Sequence, residues 1–285
     1  MDFRAETTCS RSHNDPLARG IKCAIVVLSI LGAAMTAVPA RADTIHLYSA
    51  GSLKAALTDV AKAYEAKSGN KVETKWGASG LLKDEIAGGA KADVFTSANM
   101  QHPQALHDAG KSGPVLLFAR NTMCALVRPG LAVDTANLLT RMLDPSVKLG
   151  SSTPKADPSG DYAFEIFKKA EAIKPGARAA LEAKALLLTG GPATAQPPAG
   201  RTLYSWLLSD GHADIFLTYC TNALAARKEN PGQHMVALPD NLSVGADYGL
   251  TVMNGTAPAA KSFADYIMSA PGQMILERYG FARGK

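Results

Sequence analysis

The chain has 285 residues, of which 47% are hydrophobic and 19% charged, so it can bury a core and lacks the composition of a disordered protein. The formal net charge is +5, and the lysines and arginines form no block of the kind that nucleic-acid-binding proteins carry. These properties favour a folded protein of one large or two medium domains, without a nucleic-acid partner.

The first 42 residues have the pattern of a secretory signal peptide. Basic residues precede the apolar run AIVVLSILGAAMTAV at 24–38, and the small-x-small triplet Ala40-Arg41-Ala42 follows it. We therefore expect cleavage before Asp43 and secretion to the periplasm. A retained membrane anchor is the alternative, which the shortness of the run disfavours. Cys23 lies before the run, so a lipoprotein anchor is not expected.

Two cysteines, Cys124 and Cys220, remain after the predicted cleavage. An oxidising compartment would permit them to form a disulfide. Both lie in apolar, strand-like runs, which favours two separate buried thiols.

From residue 44 the chain alternates strand, turn and helix, which predicts an open α/β sheet flanked by helices. TIHLYSA is predicted to be the first strand. The helix after it carries apolar residues at helical spacing and ends at Gly69. KVETKWGAS and ADVFTSA are predicted strands, with the short helix LLKDEIAGG between them.

The segment LFARNTMCALVRPG contains a strand that we place at the crossover between two lobes. The second lobe begins with further αβ units, in which ADIFLTYCTNAL is predicted to be a strand running into a turn. YGLTVMN is predicted to return to the first lobe, where a last helix is broken by Pro271. The predicted division is 43–125 and 246–285 for lobe 1 and 126–245 for lobe 2.

Three serines each follow a turn and precede a helix, namely Ser52, Ser79 and Ser159. Serine is a preferred N-cap residue, and the first turn of a helix leaves backbone N–H groups unpaired. The positions three residues later hold no acidic side chain that would close a capping box. The helix starts are therefore predicted anion receptors, although serine N-caps are also common without any ligand.

The sequence carries no constellation typical of an enzyme. GASGL lacks the last glycine of a G-x-S-x-G nucleophile elbow, and neither Ser52 nor Ser79 has the lysine of an S-x-x-K motif. The histidines after residue 42 are scattered, and His102 and His107 do not have the i, i+4 spacing of a metal-binding helix. We predict a binding protein rather than an enzyme, with no cofactor.

The segment LYSAGSLKAALTDVAKAYEAKSGNKVETKWGASGLLKDEIAGGAKADVFTSAN resembles the opening of the periplasmic molybdate-binding proteins of ABC importers. PGQMILERYGF is similar to the end of the same family. The resemblance implies a two-lobed type II periplasmic-binding-protein fold, with mixed sheets flanked by helices and an oxyanion in the cleft between the lobes.

The resemblance also implies which residues hold the oxyanion, because the family uses serine hydroxyls, backbone amides and a tyrosine hydroxyl. Ser52 and Ser79 match the two serines, Ser159 matches a turn that supplies an amide, and Tyr219 matches the tyrosine. The alternative for Tyr219 is a core tyrosine. Arg201 falls where the family has a small apolar residue. Its guanidinium is predicted either to enter the cleft and pair with the anion, or to cap a helix start and face solvent.

The predicted function is capture of a tetrahedral oxyanion, molybdate or tungstate being favoured, and its delivery to a membrane permease by a monomeric protein. No protein side chain is expected to ligate the metal directly. Sulfate, phosphate or a small organic anion is the alternative within the same fold.

Overall fold

The computed structural model describes residues 42–192 and 194–284. The predicted signal peptide lies outside these residues except for its last position. Within the described part, no helix has the length and apolar character that crossing a membrane requires.

The first part of the chain forms strand–helix units, as its sequence pattern predicts. Helix α1 ends at Gly69, whose φ of 75° lies in the left-handed region that glycine adopts easily. The elements of this part are β1 (Thr44–Ala50), a 3-10 turn (Gly51–Leu53), α1 (Lys54–Ser68), β2 (Lys71–Gly77), α2 (Ser79–Ala87), β3 (Val94–Ser97) and α3 (Gln101–Asp108).

A long strand then leads into a second group of elements, and the chain finally returns to the first. Pro271 lies in the first turn of the last helix, so the predicted break falls between two separate helices at Ser269. These elements are β4 (Leu116–Val127), α4 (Leu138–Leu143), β5 (Leu149–Ser152), α5 (Pro158–Ile173), α6 (Ala177–Lys184), β6 (Leu186–Thr189), α7 (Leu203–Ser209), β7 (Ile215–Tyr219), α8 (Cys220–Glu229), β8 (His234–Ala237), β9 (Gly245–Val252), α9 (Pro258–Met268), α10 (Ala270–Arg278) and β10 (Ala282–Arg283).

One predicted element is wrong. The residues after Tyr219 form the helix α8, where the sequence pattern indicated a turn. The helix contains Ala223 and Ala226 at its buried positions, and alanines give a much weaker apolar stripe than leucines or valines do.

The strands pair in the order β2-β1-β3-β9-β4-β7-β5-β6, and β8 and β10 also pair with β4. Residues 116–122 of β4 pair with β9, whereas residues 123–127 pair with β7 and β8. Strand β4 therefore joins two halves of the sheet, which we call the first half (β2, β1, β3, β9) and the second half (β7, β5, β6). The lobe boundaries stated above remain a prediction.

Both halves contain parallel strands, and their carboxyl ends position the polar residues of interest. Strand β1 is parallel to β2 and β3, and β5 is parallel to β6 and β7. A hydrophobic cluster includes buried residues of both halves, such as Leu47 in β1 and Leu217 in β7. Ser52 follows β1, Ser79 follows β2 and Tyr219 ends β7. Ligands of open α/β sheets bind at such strand ends.

Candidate functional site

The three serines predicted as N-caps do not cap their helices. The N-cap residues are Ala50 for the 3-10 turn, Ala78 for α2 and Asp157 for α5. Pro158 fits the first position of α5 because its φ is fixed near the helical value, so α5 starts before Ser159. The N-cap interpretation of the serines is therefore wrong, and they lie inside the first turns.

Ser79 is buried at the first position of α2, with 1% of its surface exposed. Its Oγ accepts a hydrogen bond from the backbone N–H of Ala98, just after β3, at 3.1 Å. The hydroxyl hydrogen of Ser79 is not used in that bond. Since the oxygen is already an acceptor, this hydroxyl is suited to donate to another group.

The start of α2 lies against the loop that precedes α5. The N–H of Gly80 donates to the carbonyl of Ala156 at 2.8 Å. A Cβ at Gly80 would lie 2.3 Å from the carbonyl oxygen of Lys155, so only glycine permits this approach. One backbone donor of α2 is thus occupied by the protein itself.

Ser159 lies in the first turn of α5, and its N–H has a hydrogen-bond partner whereas its hydroxyl has none among the described residues. Its N–H donates to the carboxylate of Asp157 at 3.1 Å, so the amide that the resemblance assigned to a ligand has a partner. Its Oγ is buried and has no hydrogen-bond partner among the described residues. Burial raises the pKa of Asp157.

Tyr219 also has a buried hydroxyl without a partner in the described part of the chain. Burial holds its pKa well above the usual value, so the phenol stays protonated and can donate. Its ring lies against Tyr162 and Tyr248, with centroids 6.2 and 5.6 Å away. Burial likewise raises the pKa of Tyr162 to about 12.

The tyrosines connect three of the five predicted site residues, namely Ser52, Ser79 and Tyr219. The hydroxyl of Tyr248 lies 3.1 Å from the Oγ of Ser52. The hydroxyl of Tyr162, a residue of α5 three positions beyond Ser159, donates to the carbonyl of Ala98, the residue whose N–H binds Ser79. Contacts therefore run from Ser52 through Tyr248, Tyr219 and Tyr162 to Ala98 and Ser79. Ser159 lies in the same helix as Tyr162.

The guanidinium of Arg201 contacts carboxylate side chains near the two ends of α7 and the end of α8. Its guanidinium forms an ion pair with Glu229 and lies 4.0 Å from a carboxylate oxygen of Asp210. The second oxygen of Glu229 accepts the N–H of Thr202 at 2.6 Å, immediately before α7. Desolvation opposes ionisation of Glu229, but hydrogen bonds from Thr202 and Arg201 outweigh it and lower its pKa to about 2. Glu229, and not Arg201 itself, binds the backbone N–H just before α7, and the two alternatives for Arg201 stay predictions.

Cys124 and Cys220 form a disulfide, with Cα atoms 5.0 Å apart. The separate-thiol interpretation was wrong, because β4 and β7 are paired and bring the two residues together across the sheet. Cys220 directly follows Tyr219. The bond therefore fastens the residue next to the tyrosine to the strand that joins the two halves.

A cleft of about 370 Å³ opens beside this group. Its lining consists of residues at or just before the start of α3 and in the first half of α5, namely Asn99, Gln101, Pro158, Asp161, Tyr162 and Glu165. Of these, Tyr162 belongs to the tyrosine contacts described above. No group of three or more histidine, cysteine, aspartate or glutamate side chains that could hold a metal ion occurs in the part of the chain that the structure describes.

Sequence reasoning missed Asp157, Asn121 and Tyr248 as neighbours of the site. Asn121 donates to both Tyr248 and Thr221. None of them lies in a recognisable motif, and only the strand pairing of β4 with β9 brings Asn121 and Tyr248 together.

Residues 45–282 match the family described as bacterial extracellular solute-binding protein. The chain belongs to this family. Its members bind solutes, in agreement with the prediction that the chain is not an enzyme.

Individual proteins support the same assignment. An uncharacterized protein of Pasteurella multocida is 32% identical over 238 residues, covering 83% of this chain and 98% of the relative. The molybdate-binding protein ModA of Escherichia coli is 26% identical over 249 residues, covering 83% and 88% of the two chains.

A solved structure, the periplasmic molybdate-binding protein of Azotobacter vinelandii, superposes with a TM-score of 0.68 at 18% identity, covering 85% of this chain and all (100%) of that one. The predicted α/β class and type II periplasmic-binding-protein fold are confirmed.

Proposed function

We propose that the protein captures a small tetrahedral oxyanion, with molybdate or tungstate favoured, and delivers it to the membrane permease of an ABC importer. The ligand would lie among Ser52, Ser79, Ser159 and Tyr219, held by neutral donors. The similarity to molybdate-binding proteins over most of the chain supports this choice of ligand.

The observation that carries the proposal is the pair of buried hydroxyls without partners, on Ser159 and Tyr219. Leaving a buried hydroxyl unpaired costs about 1–3 kcal/mol, so such groups are rarely retained without a use. Ligand oxygens would accept both hydrogens. Neutral donors also suit a carrier, because domain opening can undo the binding.

The Arg201 contacts favour a structural role. With Glu229 and Asp210 as partners, the guanidinium would stabilise the start of α7 and stay off the ligand. The other four predicted positions supply neutral donors. The proposed dianion would then be bound without a positively charged side chain.

Secretion to the periplasm after cleavage before Asp43 completes the proposal, together with a monomeric state and division into the two lobes predicted above. The Cys124–Cys220 disulfide supports an oxidising compartment. The name of a Bacillus subtilis relative, an ABC transporter substrate-binding lipoprotein 26% identical over 244 residues, supports the permease partner.

A second candidate ligand is an anion that carries its own hydrogen, such as hydrogen phosphate or a phosphate ester. The carboxylate of Asp157, two positions before Ser159, accepts from the Ser159 N–H. A carboxylate in that place repels a bare dianion and can accept a hydrogen from a protonated one.

Thermal-shift measurements on protein purified from a periplasmic fraction would test the proposal. Ligand binding raises the melting temperature by mass action, so molybdate or tungstate should raise it at micromolar concentrations, and sulfate and phosphate should not. Ser159→Ala and Tyr219→Phe each remove one orphaned hydroxyl and should weaken binding by about 1–3 kcal/mol while the fold persists. No shift with any of the four anions would defeat the proposal, and a phosphate-selective shift would favour the second candidate.

A further inference from the structure

Two successive hydrogen bonds link Asn121 to Tyr248 and Tyr248 to Ser52, and the contacts indicate which residue donates in each. The side-chain amide of Asn121 contacts the hydroxyl of Tyr248 at 3.3 Å, and that hydroxyl contacts Ser52 Oγ at 3.1 Å. Asn121 and Tyr248 are buried, with 7% and 0% of their surfaces exposed, whereas Ser52 is half-buried. Both buried residues lie outside the predicted set of ligand contacts.

The orientation of the Asn121 amide is fixed by the backbone. The N–H of Thr122 donates to Asn121 Oδ1 at 2.9 Å, and a backbone N–H can only donate. Nδ2 must then face the other way, where it donates to Thr221 Oγ1 at 2.8 Å and to Tyr248. With the amide reversed, Nδ2 would face the N–H of Thr122, and both groups are donors.

The orientation of the Asn121 amide also decides which hydroxyl donates between Tyr248 and Ser52. Either hydroxyl of the Tyr248–Ser52 pair could donate, but the Tyr248 oxygen already accepts from Asn121. If Ser52 donated as well, the buried Tyr248 hydrogen would have no acceptor among its hydrogen-bond partners, so we infer that Tyr248 donates to Ser52 Oγ. The Ser52 oxygen thereby becomes an acceptor, and its own hydrogen is left for a further group. Any group that takes this hydrogen must be an acceptor, as an oxyanion is.

We propose that Asn121 and Tyr248 are positioning residues that hold the Ser52 hydroxyl as a hydrogen-bond donor and so favour anionic ligands. The inference rests on the proposed function, because it takes Ser52 to contact the ligand. It gives two buried residues outside the ligand contacts a role in binding, because they fix the Ser52 hydroxyl as a donor.

The variant Asn121→Asp reverses the direction with little change of shape. An ionised carboxylate can still accept from Thr122 but cannot donate, so Tyr248 would donate to it and Ser52 would donate to Tyr248. The anion would then meet a lone pair of Ser52. We expect molybdate to bind at least about tenfold more weakly at pH 8, as measured by isothermal titration calorimetry.

Two further variants separate polarity from charge. Tyr248→Phe should weaken binding by only about twofold to threefold, because Ser52 keeps its hydrogen. Asn121→Asp combined with Tyr248→Phe keeps the carboxylate but breaks the series, so its affinity should recover towards that of Tyr248→Phe. The matched control is Asn222→Asp on α8, whose amide donates to Thr218 at 3.0 Å, and which should stay within about threefold of the unaltered protein.

The pH dependence gives a readout that loss of structure would not mimic. Burial raises the pKa of a carboxyl, so Asp at position 121 should become protonated as the pH falls towards 5.5. Its O–H could then donate to Tyr248 and restore the original direction. The affinity of Asn121→Asp relative to the unaltered protein should recover, and more fully than that of the double variant.

The outcomes distinguish the two proposals. If the unaltered protein binds molybdate and Asn121→Asp binds it equally well, or if the double variant is as weak as Asn121→Asp, the positioning role is overturned and the proposed function stands. If the unaltered protein binds no oxyanion, the proposed function fails and this inference fails with it.

Discussion

The N–H of Ser159 donates to the carboxylate of Asp157 at 3.1 Å, so a negative charge occupies the helix start at which an anion is expected. Burial raises the pKa of this carboxyl. Under the proposed function, protonation of this carboxyl would favour anion binding, which yields the first prediction.

Asp157→Asn should strengthen molybdate binding by about tenfold at pH 7. The variant removes a negative charge near the ligand, while the amide oxygen of asparagine can still accept from Ser159. Asp157→Ala is the comparison, because it removes charge and cap together and should lower stability by about 1 kcal/mol. Titration calorimetry and urea unfolding measure the two effects, and equal or weaker binding by Asp157→Asn would contradict the expectation.

The same residue should make stability depend on pH. A carboxyl whose pKa is raised by folding binds its proton more tightly in the native state. Its contribution to stability is fully present below the unfolded value of about 3.9 and is lost as pH rises through the folded value. The free energy of unfolding of the unaltered protein, relative to Asp157→Asn, should therefore fall as pH rises above 4, and a constant difference would count against it.

Gly80→Ala tests the approach of α2 to the loop before α5. The added methyl would lie 2.3 Å from Lys155 O and 2.7 Å from Ala156 O, so the two segments must separate. Because Ser79 and Ser159 lie on these segments, molybdate affinity should fall at least about tenfold with the fold retained. Gly88→Ala at the other end of α2 is the control, since its nearest neighbour would be 3.4 Å away, and affinity should not change. Equal affinities in both variants would contradict the prediction.

Arg201→Ala decides between the two interpretations of that arginine. If the guanidinium serves Glu229 and the start of α7, anion affinity should stay within about twofold and stability should fall by at most about 1 kcal/mol. Arg178→Ala, which breaks an exposed ion pair with Glu182 on α6, controls for the loss of one positive charge. A large loss of affinity confined to Arg201→Ala would place the side chain on the ligand.

Local signals in the sequence predicted those features that depend on neighbouring residues. Gly69 ends α1 because its backbone is left-handed, and Pro271 separates α9 from α10 because it lacks an N–H. Alternation of strands and helices likewise predicted the α/β class. Helix α8 was missed because its buried alanines give little apolar contrast.

The details of the candidate site depend on residues far apart in the chain. Ser52 and Tyr248 are 196 positions apart, and Asn121 and Tyr248 are 127 apart. Their contacts require the pairing of β4 with β9, which no spacing in the sequence reveals. The N-cap predictions erred by one or two residues, because Asp157 and Pro158 start α5 better than Ser159 does.

The bond between Cys124 and Cys220 closes a loop of the chain with a sequence separation of 96, so it restricts the unfolded ensemble strongly. Production in a reducing cytoplasm would give a molecule that differs chemically at the position next to Tyr219. Under the proposed secretion, the disulfide would form only after export, so export would complete the covalent structure. Affinity measurements should therefore use protein in which this disulfide is formed.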